Sequence, residues 1–546
     1  MMVNSSDGDE ICDVVVAGSG SAGLVAALRA SEAGLSTVVL ERTDLLGGTT
    51  ALSAAGIWIP ANHHAAVAGI SDDRERALSY IRALAPAGWQ ETEDALWRSF
   101  VEEAPNMLSF LERNTPLRFS LTDQPDPFPE ACGGMQKGRM VSPGALRRRL
   151  AGPFASVLRP PTLTHLFTYQ EALALDPGRH PVRSVLRKLP AIMVRYLTGA
   201  RGMGTALVTG LVRGCLDQRC SIRINARAVS PVIENNRVKG LVIEQNGRRH
   251  TIHARRGVIL ATGGFEWDPE RLAKHFPGPT DFVGSPPGND GDAHRIAGEA
   301  GAQFAHMDQA NITGGIPLSP DRLPFGISHY FHQEANAIIV NRHGRRFVNE
   351  YRFNLGEVID ERDLAAGQAM HLPAWLVSDA EFLKKSPVVR YFAARNPGWL
   401  IKRDDVAALA DAISVSALEL KETLERFNDF CRRGVDEDFQ RHELGSRKMS
   451  NGLGARGQNR LRPIRKTPYL AIPFNRTILS TKGGPRTDAG GRVVRPDGSV
   501  IPGLYCAGVA MANPIGTWAV GAGTTLGPNM TWGYICANSI VDAAEQ

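Results

Sequence analysis

The sequence predicts an α/β fold built around a parallel nucleotide-binding sheet assembled from separated parts of the chain. Three observations predict it. A β-branched apolar run, CDVVVA at residues 12–17, leads straight into Gly18-Ser19-Gly20-Ser21-Ala22-Gly23 and then an amphipathic stretch ending at Gly34. A second buried run, GVIL from Gly257, ends in a glycine pair. A third, GLYCA from Gly503, also ends in small residues.

Composition bounds the rest. With 546 residues, 43% hydrophobic and 22% charged, the chain can build two or three domains with sizeable cores and is not disordered. A net charge of +6 without a Lys/Arg block reads as a solvated surface and argues against nucleic-acid binding. The seven cysteines are scattered, with no C-x-x-C and no His pair at zinc spacing. They read as reduced, mostly buried thiols of a cytoplasmic protein, with no metal site. Residues 1–10 lack the basic and apolar regions of a signal peptide, and no run of about 18 apolar residues is present.

Each element of the first unit has a task. Gly18 permits the tight turn, Gly20 lets backbone approach a pyrophosphate, and Gly23 lets helix pack on strand. The helix start offers N–H groups and positive dipole to phosphates. The next strand, residues 37–40, ends at Glu41, about 20 residues after the turn, where a carboxylate accepts ribose hydroxyls and disfavours a 2′-phosphate. Gly47-Gly48-Thr49-Thr50 adds a second Gly-rich turn. Strand-to-glycine junctions at the start, middle and end of one chain imply one long ligand threaded through a discontinuous domain, which describes FAD better than NAD.

The segments GSGSAGL, ERTDLLGGTTALSAAGIWIP, ATGGFEWD, GRRFVNE, STKGGPRTDAGGRV, IPGLYCAGV and GAGTTLGPNMTWGY follow one another along nearly the whole chain. In this order they resemble the fumarate reductase / 3-ketosteroid dehydrogenase flavoproteins, most of all the 3-ketosteroid Δ1-dehydrogenase branch. The resemblance implies noncovalent FAD, since the attachment His of membrane-bound members has no match. It places Gly18, Gly20, Ser21, Ala22 and Gly23 on the pyrophosphate and Glu41 on the ribose. Gly48, Thr49, Thr50 and Ser53 would line the ribityl chain and ring. Val229 would meet adenine through its backbone, and Ala261, Thr262 and Gly263 would lie along the adenosine. Gly508 and the helix entry Gly523–Asn529, with Thr524, Thr525 and Leu526, would sit beside the flavin. That helix, with Pro528 in its first turn, can aim its N-terminus at the flavin edge where negative charge develops.

The expected architecture is a discontinuous Rossmann-like FAD-binding domain with an inserted α+β catalytic cap. The FAD-binding domain would take residues 1–66, 200–290 and 465–546, a helical insertion residues 67–199, and the cap residues 291–464. In the cap, NAIIV and RRFVN read as strands flanking a turn at His343-Gly344, and residues 405–431 as one or two amphipathic helices.

The Δ1-dehydrogenase branch implies a tyrosine base with a helper tyrosine, and a third tyrosine plus a glycine N–H on the ketone oxygen. This chain keeps the glycine, Gly523. It departs at the tyrosines, whose positions fall at Phe128, near Asn354 and near Ala519. Tyr351 is therefore the first candidate acid/base, with Arg345, Arg346 or Arg352 to tune it. Tyr330 and His332 come second, each read equally as a structural residue of the cap. Arg486 can polarise a carbonyl or receive a carboxylate, and Trp518 can wall the pocket. The expected reaction dehydrogenates the C–C bond beside the ketone of a small apolar cyclic substrate, with electrons leaving to an external acceptor. The alternative is reduction of an activated double bond, fumarate- or enone-like, for which Arg486 and His332 are the available carboxylate clamps. A flavin module without catalysis would carry no titratable group near the flavin. Finally, Val182, Val185, Leu186, Leu189, Ile192 and Met193 recur at helical spacing among Arg183, Arg187, Lys188 and Arg195, interrupted by Pro190. Peripheral membrane contact and an ordinary packed helix both fit this stretch.

Overall fold

The computed structural model describes residues 3–4, 10–363, 365–442, 460–517 and 522–545. Its centre is a nine-stranded sheet. The strand Glu10–Ala17 runs parallel between Thr37–Leu40 and Arg248–Leu260, with Val15 opposite both Val38 and Val258. Ser221–Arg223 extends the sheet past Thr37–Leu40, and Val500–Cys506 joins parallel beside Val258–Leu260. Val14, Val15 and Val16 are all fully buried. Layers cover both faces of this strand, which is why its sequence is a continuous apolar run and not an alternation. The 13-residue strand Arg248–Leu260 serves two ladders. Its first half pairs antiparallel with Arg237–Gln245 in a meander with Ala226–Glu234, and its last residues join the parallel core.

The helix Ser21–Glu32 follows Gly20 directly and packs against the closing helix Leu526–Glu545. Gly533 makes their close crossing possible, because a Cβ there would strike the Ala22 carbonyl. The ends of the chain thus meet over the glycine turn.

Residues 67–199 contain one long helix, Trp89–Asn114, of 26 residues. Its apolar stripe Leu96, Phe100, Ala104, Leu108 and Leu111 is buried in the same core as the central sheet. A small sheet of Ile57–Trp58, Met140–Pro143 and Phe119–Leu121 lies beside it.

The segment expected as the cap contains a four-stranded antiparallel sheet in the order Ile338–Val340, Trp375–Asp379, Tyr469–Pro473, Ile401–Arg403. Alternation fixes its two faces. Ile339, Leu376, Leu470 and Ile472 join one core, while Ile338, Val340, Val377 and Ala471 join another under the helices Val406–Ala412 and Ala417–Arg433. Two expectations are corrected here. Tyr469–Pro473 belongs to the cap sheet, so the chain returns to the central domain after this strand and not at residue 465. RRFVN is not a strand; one bridge, Val340 to Arg346, is all that forms. Buried charges pull the segment away. Arg346 pairs with Glu350 at 2.9 Å and Asp436 at 3.1 Å, and Arg441 pairs with Glu350 at 2.9 Å. Charges without water must find partners, and that requirement outranks a ladder.

Among the described residues no helix is long and apolar enough to cross a membrane. Five of the seven cysteines are buried and all are unpaired, which agrees with their reading as thiols.

Candidate active site

The carboxyl ends of the central strands open onto one groove. Gly18, at φ +112°, turns the chain out of the strand, and a Cβ there would strike the Ala261 carbonyl. A Cβ on Gly23 would strike the Gly18 carbonyl, so this glycine closes helix onto turn. Gly20 differs. It lines the groove, and a Cβ there would meet only the Thr50 hydroxyl, 3.9 Å away. Gly20 is also the N-cap of its helix and brings no side chain to the first turn, an end suited to a phosphate. Ser21, Ala22, Gly48, Thr49, Thr50, Ala261, Thr262, Gly263 and Gly508 line the same groove. Glu41 is buried at its rim. Its Oε2 accepts from the Ser19 hydroxyl at 2.5 Å, and its Oε1 from the Thr43 amide and hydroxyl at 2.9 Å. The Ser19 amide adds a longer bond to Oε2 at 3.4 Å, so Glu41 is held in place at the rim by two hydroxyls and two amides.

The remaining cofactor candidates stand behind this lining. Ser53 closes the 48–52 turn, donating from its hydroxyl to the Thr50 carbonyl at 2.7 Å. Val229 sits at a β-bulge, where the ladder slips between Ala228 and Ser230; Ala228 lines the groove. Thr524, Thr525 and Leu526 begin the closing helix, in which the Thr525 carbonyl accepts from Asn529 at 3.0 Å. Asn529, the last residue of the expected helix entry, lines the groove, and its buried Oδ1 has no partner among the described residues. The groove also has a member that sequence motifs did not reveal: Arg159, from the insertion, lines it and donates to the Thr43 hydroxyl at 3.0 Å. Asn529 needs a donor from a ligand, and Gly20 leaves the space for one. Both fit a dinucleotide.

A cluster of close contacts lies where the closing helix starts. Gly523, at φ +84°, presses against Gly56: a Cβ on Gly523 would lie 2.5 Å from the Gly56 carbonyl. Gly56 in turn accommodates Tyr169, whose ring would be 2.7 Å from a Cβ on Gly56. Tyr169 opens the helix Tyr169–Leu175 and donates its hydroxyl to Gln124 at 2.6 Å. Burial raises its phenol, and neighbouring Tyr330 adds to the rise. Burial likewise pushes the Tyr330 phenol up to about 12. The two tyrosines lie 161 positions apart in the chain and are near enough in the fold for Tyr330 to act on the Tyr169 phenol. Tyr169 was not among the sequence candidates; it lies on a short helix with no motif around it.

His332 lies beside Tyr330, ring centroids 6.0 Å apart, with its buried Nδ1 unpartnered. Burial, then His329 and Arg441, push His332 down to about 3, so it is neutral at physiological pH. Its stability effect has a defined sign. The unfolded chain binds a proton near the ordinary 6.5 and the fold does not until about 3, so this contribution is lost as pH falls through that window. Relative to His332→Gln, the wild type is expected to lose thermal stability between pH 6.5 and 4; melting curves of both proteins check this.

Tyr351 is buried, with the guanidiniums of Arg441 and Arg460 over its ring at 4.8 and 4.9 Å. Cations do flank it, but not the expected ones. Arg345 pairs with Glu419, Arg346 with Glu350, and Arg352 with Glu357. Phe128 lines a cavity with Asn349, Arg352, Val358 and Phe439, which brings insertion and cap together just after the RRFVN segment. The buried Nδ2 of Asn354 has no partner. Arg486 is committed elsewhere: it pairs with buried Glu93 at 2.9 Å and donates to the Thr92 carbonyl. With Arg486 engaged and His332 neutral, the two-cation carboxylate clamp of the alternative reading is not formed. Trp518 and Ala519 lie outside the described residues. Away from the groove, His63 and His64 both hydrogen-bond to Glu112, at 2.7 and 3.1 Å.

A parallel sheet with a glycine turn, an acidic strand end, a long groove and an orphan side chain at its far wall define a flavoprotein. The FAD binding domain family model matches residues 13–526. The 3-oxosteroid 1-dehydrogenase of Mycobacterium tuberculosis (strain ATCC 25618 / H37Rv) is 35% identical over 97% of this chain and 98% of its own length. The 4-oxocyclohexanecarboxylate 2-dehydrogenase of Sinomonas cyclohexanicum is 34% identical over 97% and 93%. The crystal structure of 3-ketosteroid delta1-dehydrogenase from Sterolibacterium denitrificans, in complex with 1,4-androstadiene-3,17-dione, matches with a TM-score of 0.86 at 30% identity, covering 98% of this chain and 100% of that one. The chain belongs to the 3-ketosteroid dehydrogenase branch of the fumarate reductase / 3-ketosteroid dehydrogenase flavoproteins. It is an FAD-dependent oxidoreductase acting on a CH–CH group.

Proposed function

We propose that this protein dehydrogenates the carbon–carbon bond next to the ketone of a cyclic apolar substrate, steroid or monocyclic. The observation that carries this reading is the cluster of buried groups Tyr169, Tyr330 and His332, with Tyr169 packed on Gly56, against which Gly523 presses. Relatives named for steroid and for oxocyclohexane substrates support it about equally.

FAD, held noncovalently by the groove residues above, supplies the acceptor for the substrate's β-hydride. The chain's residues do the rest. Tyr330, kept protonated, donates a hydrogen bond to the ketone oxygen and shares it with the Gly523 backbone. This replaces the carbonyl-binding tyrosine whose position falls at Ala519. Polarising the carbonyl acidifies the α-C–H bond, and Tyr351 takes that proton with two guanidiniums beside its ring to hold the charge that moves through it. Together, one proton and one hydride leave and a C=C bond conjugated to the ketone forms. Val229 meets the adenine at its bulge, and Ser53 with Thr524, Thr525 and Leu526 supports the flavin ring. In domain terms, residues 1–66 and 200–290 and the segment after the cap strand Tyr469–Pro473 hold the cofactor. Residues 67–199 and 291–464, extended by that strand, enclose the substrate.

Anaerobic mixing of the yellow protein with a panel of cyclic 3-ketones tests the reading. A cyclic ketone is expected to bleach the flavin absorbance, and fumarate to leave the reduced protein bleached. No bleaching by any ketone, with rapid recolouring by fumarate, would overturn it.

A further inference from the structure

The two helices after the Tyr169–Leu175 helix present an apolar surface that stays exposed. They are Pro181–Arg187 and Leu189–Thr198, broken at Lys188, with Pro190 in the first turn of the second. Val182, Leu186, Tyr196 and Leu197 are 71, 64, 70 and 78% exposed, and Leu189, Met193 and Val194 are open as well. Ser184 and Ile192 are the buried residues of the pair. An apolar patch of this density on a folded domain marks contact with something other than water.

Charge identifies the occupant. Residues 177–201 contain six Lys/Arg and no Asp/Glu. Lys188 and Arg195 are held by Glu171 at 3.4 and 2.6 Å, and Arg179 by Glu334 at 2.8 Å. Arg183 and Arg187 are exposed among the apolar side chains. Apolar anchors interleaved with cations, and no acid, suit an anionic bilayer: guanidiniums meet headgroup phosphates while the anchors enter the acyl boundary. A second copy of the chain suits the face poorly, because a two-fold contact would set like cations against each other.

The hairpin is also fixed to the pocket. The Ser184 hydroxyl donates to the Leu175 carbonyl at 3.0 Å, and Glu171, which holds Lys188 and Arg195, is two residues from Tyr169. Arg179 reaches Glu334, two residues after His332. We propose that this hairpin docks the protein on an anionic membrane surface beside the Tyr169–Tyr330 pocket. Entry of an apolar ketone from the lipid side then follows, a consequence that rests on the function proposed above.

Flotation of the FAD-loaded protein with vesicles tests the docking. The wild type is expected to float with vesicles of phosphatidylcholine and phosphatidylglycerol in equal amounts at low salt, and to be released by high salt or by pure phosphatidylcholine. Leu186→Asp combined with Leu197→Asp is expected to lower the bound fraction about tenfold or more, and Arg183→Glu with Arg187→Glu similarly. Flavin content and the rate of flavin reduction by a water-soluble cyclic ketone should stay unchanged in both. Flotation is read without turnover, so a failed ketone reaction leaves the docking claim standing. Absence of wild-type flotation on anionic vesicles overturns it, as does undiminished flotation of the Asp variant. So does a dimer in solution that the Asp variant dissolves, which would assign the face to a second copy.

Discussion

Gly20→Val is expected to give a folded but colourless protein. The three glycines of the turn differ in what surrounds them. Side chains on Gly18 and Gly23 would run into backbone, the Ala261 and Gly18 carbonyls, so substitutions there damage the fold itself. A Cβ on Gly20 meets only the Thr50 hydroxyl at 3.9 Å, and the rest of a valine would occupy the groove where a pyrophosphate must approach. The fold keeps its core while the cofactor loses its seat. Absorbance at the flavin maximum against protein concentration measures the loss, and circular dichroism with a thermal melt establishes that the variant is folded. A yellow, stoichiometric Gly20→Val protein would refute the groove assignment. Gly18→Val is the contrasting control, expected to express poorly or melt early.

Tyr351→Phe is expected to slow flavin reduction by a cyclic ketone about 100-fold or more, the ordinary scale of a lost acid/base group, with FAD still bound. Removing the hydroxyl leaves the ring between Arg441 and Arg460, so packing is preserved and the effect reports chemistry. Tyr330→Phe should behave differently. It removes a hydrogen bond to the ketone oxygen and is expected to slow the same step by about 10²–10³-fold, as loss of an oxyanion donor does. The two are told apart by pH. A base must lose its proton before it acts, so the wild-type rate should rise with pH through the ionisation of that base. Tyr330→Phe should retain this rise and Tyr351→Phe should lose it. Anaerobic stopped-flow traces across pH for the three proteins decide the matter. If Tyr351→Phe bleaches as fast as wild type, the proton passes to another group of the pocket, with Tyr169 and Tyr330 the nearest to Gly523.

How far the sequence carries can be argued from particular residues. Local chemistry was legible wherever one stretch of chain does one job. The turn at Gly18–Gly23, the acid at Glu41, the run Val14–Val16 and the junction at Ala261–Gly263 each state their role through residue type and spacing, because backbone approach to a phosphate tolerates few alternatives. The apolar run Ile338–Val340 likewise read as a strand, and the fold sends its successive side chains into two cores.

What the sequence alone did not settle are the relations between distant segments. RRFVN has strand-like residues, yet Arg346 and Glu350 leave the ladder to meet Asp436 and Arg441, partners about 90 positions away. Arg486 carries a charge suited to a carboxylate substrate, yet buried Glu93 claims it. Tyr169 and Tyr330 lie 161 positions apart in the chain and become neighbours through Gly56 and the cap. Arg441 and Arg460 flank Tyr351 where nearer arginines were expected. The physical reason is common to all four. A strand, turn or cap is stabilised by neighbours in sequence, so its pattern is written locally. A buried charge or a pocket wall is stabilised by whichever partner the packed fold delivers, and that choice exists only once the chain is folded. The sequence by itself determined that this protein is a flavoprotein; the tertiary structure alone decided which buried titratable groups come together.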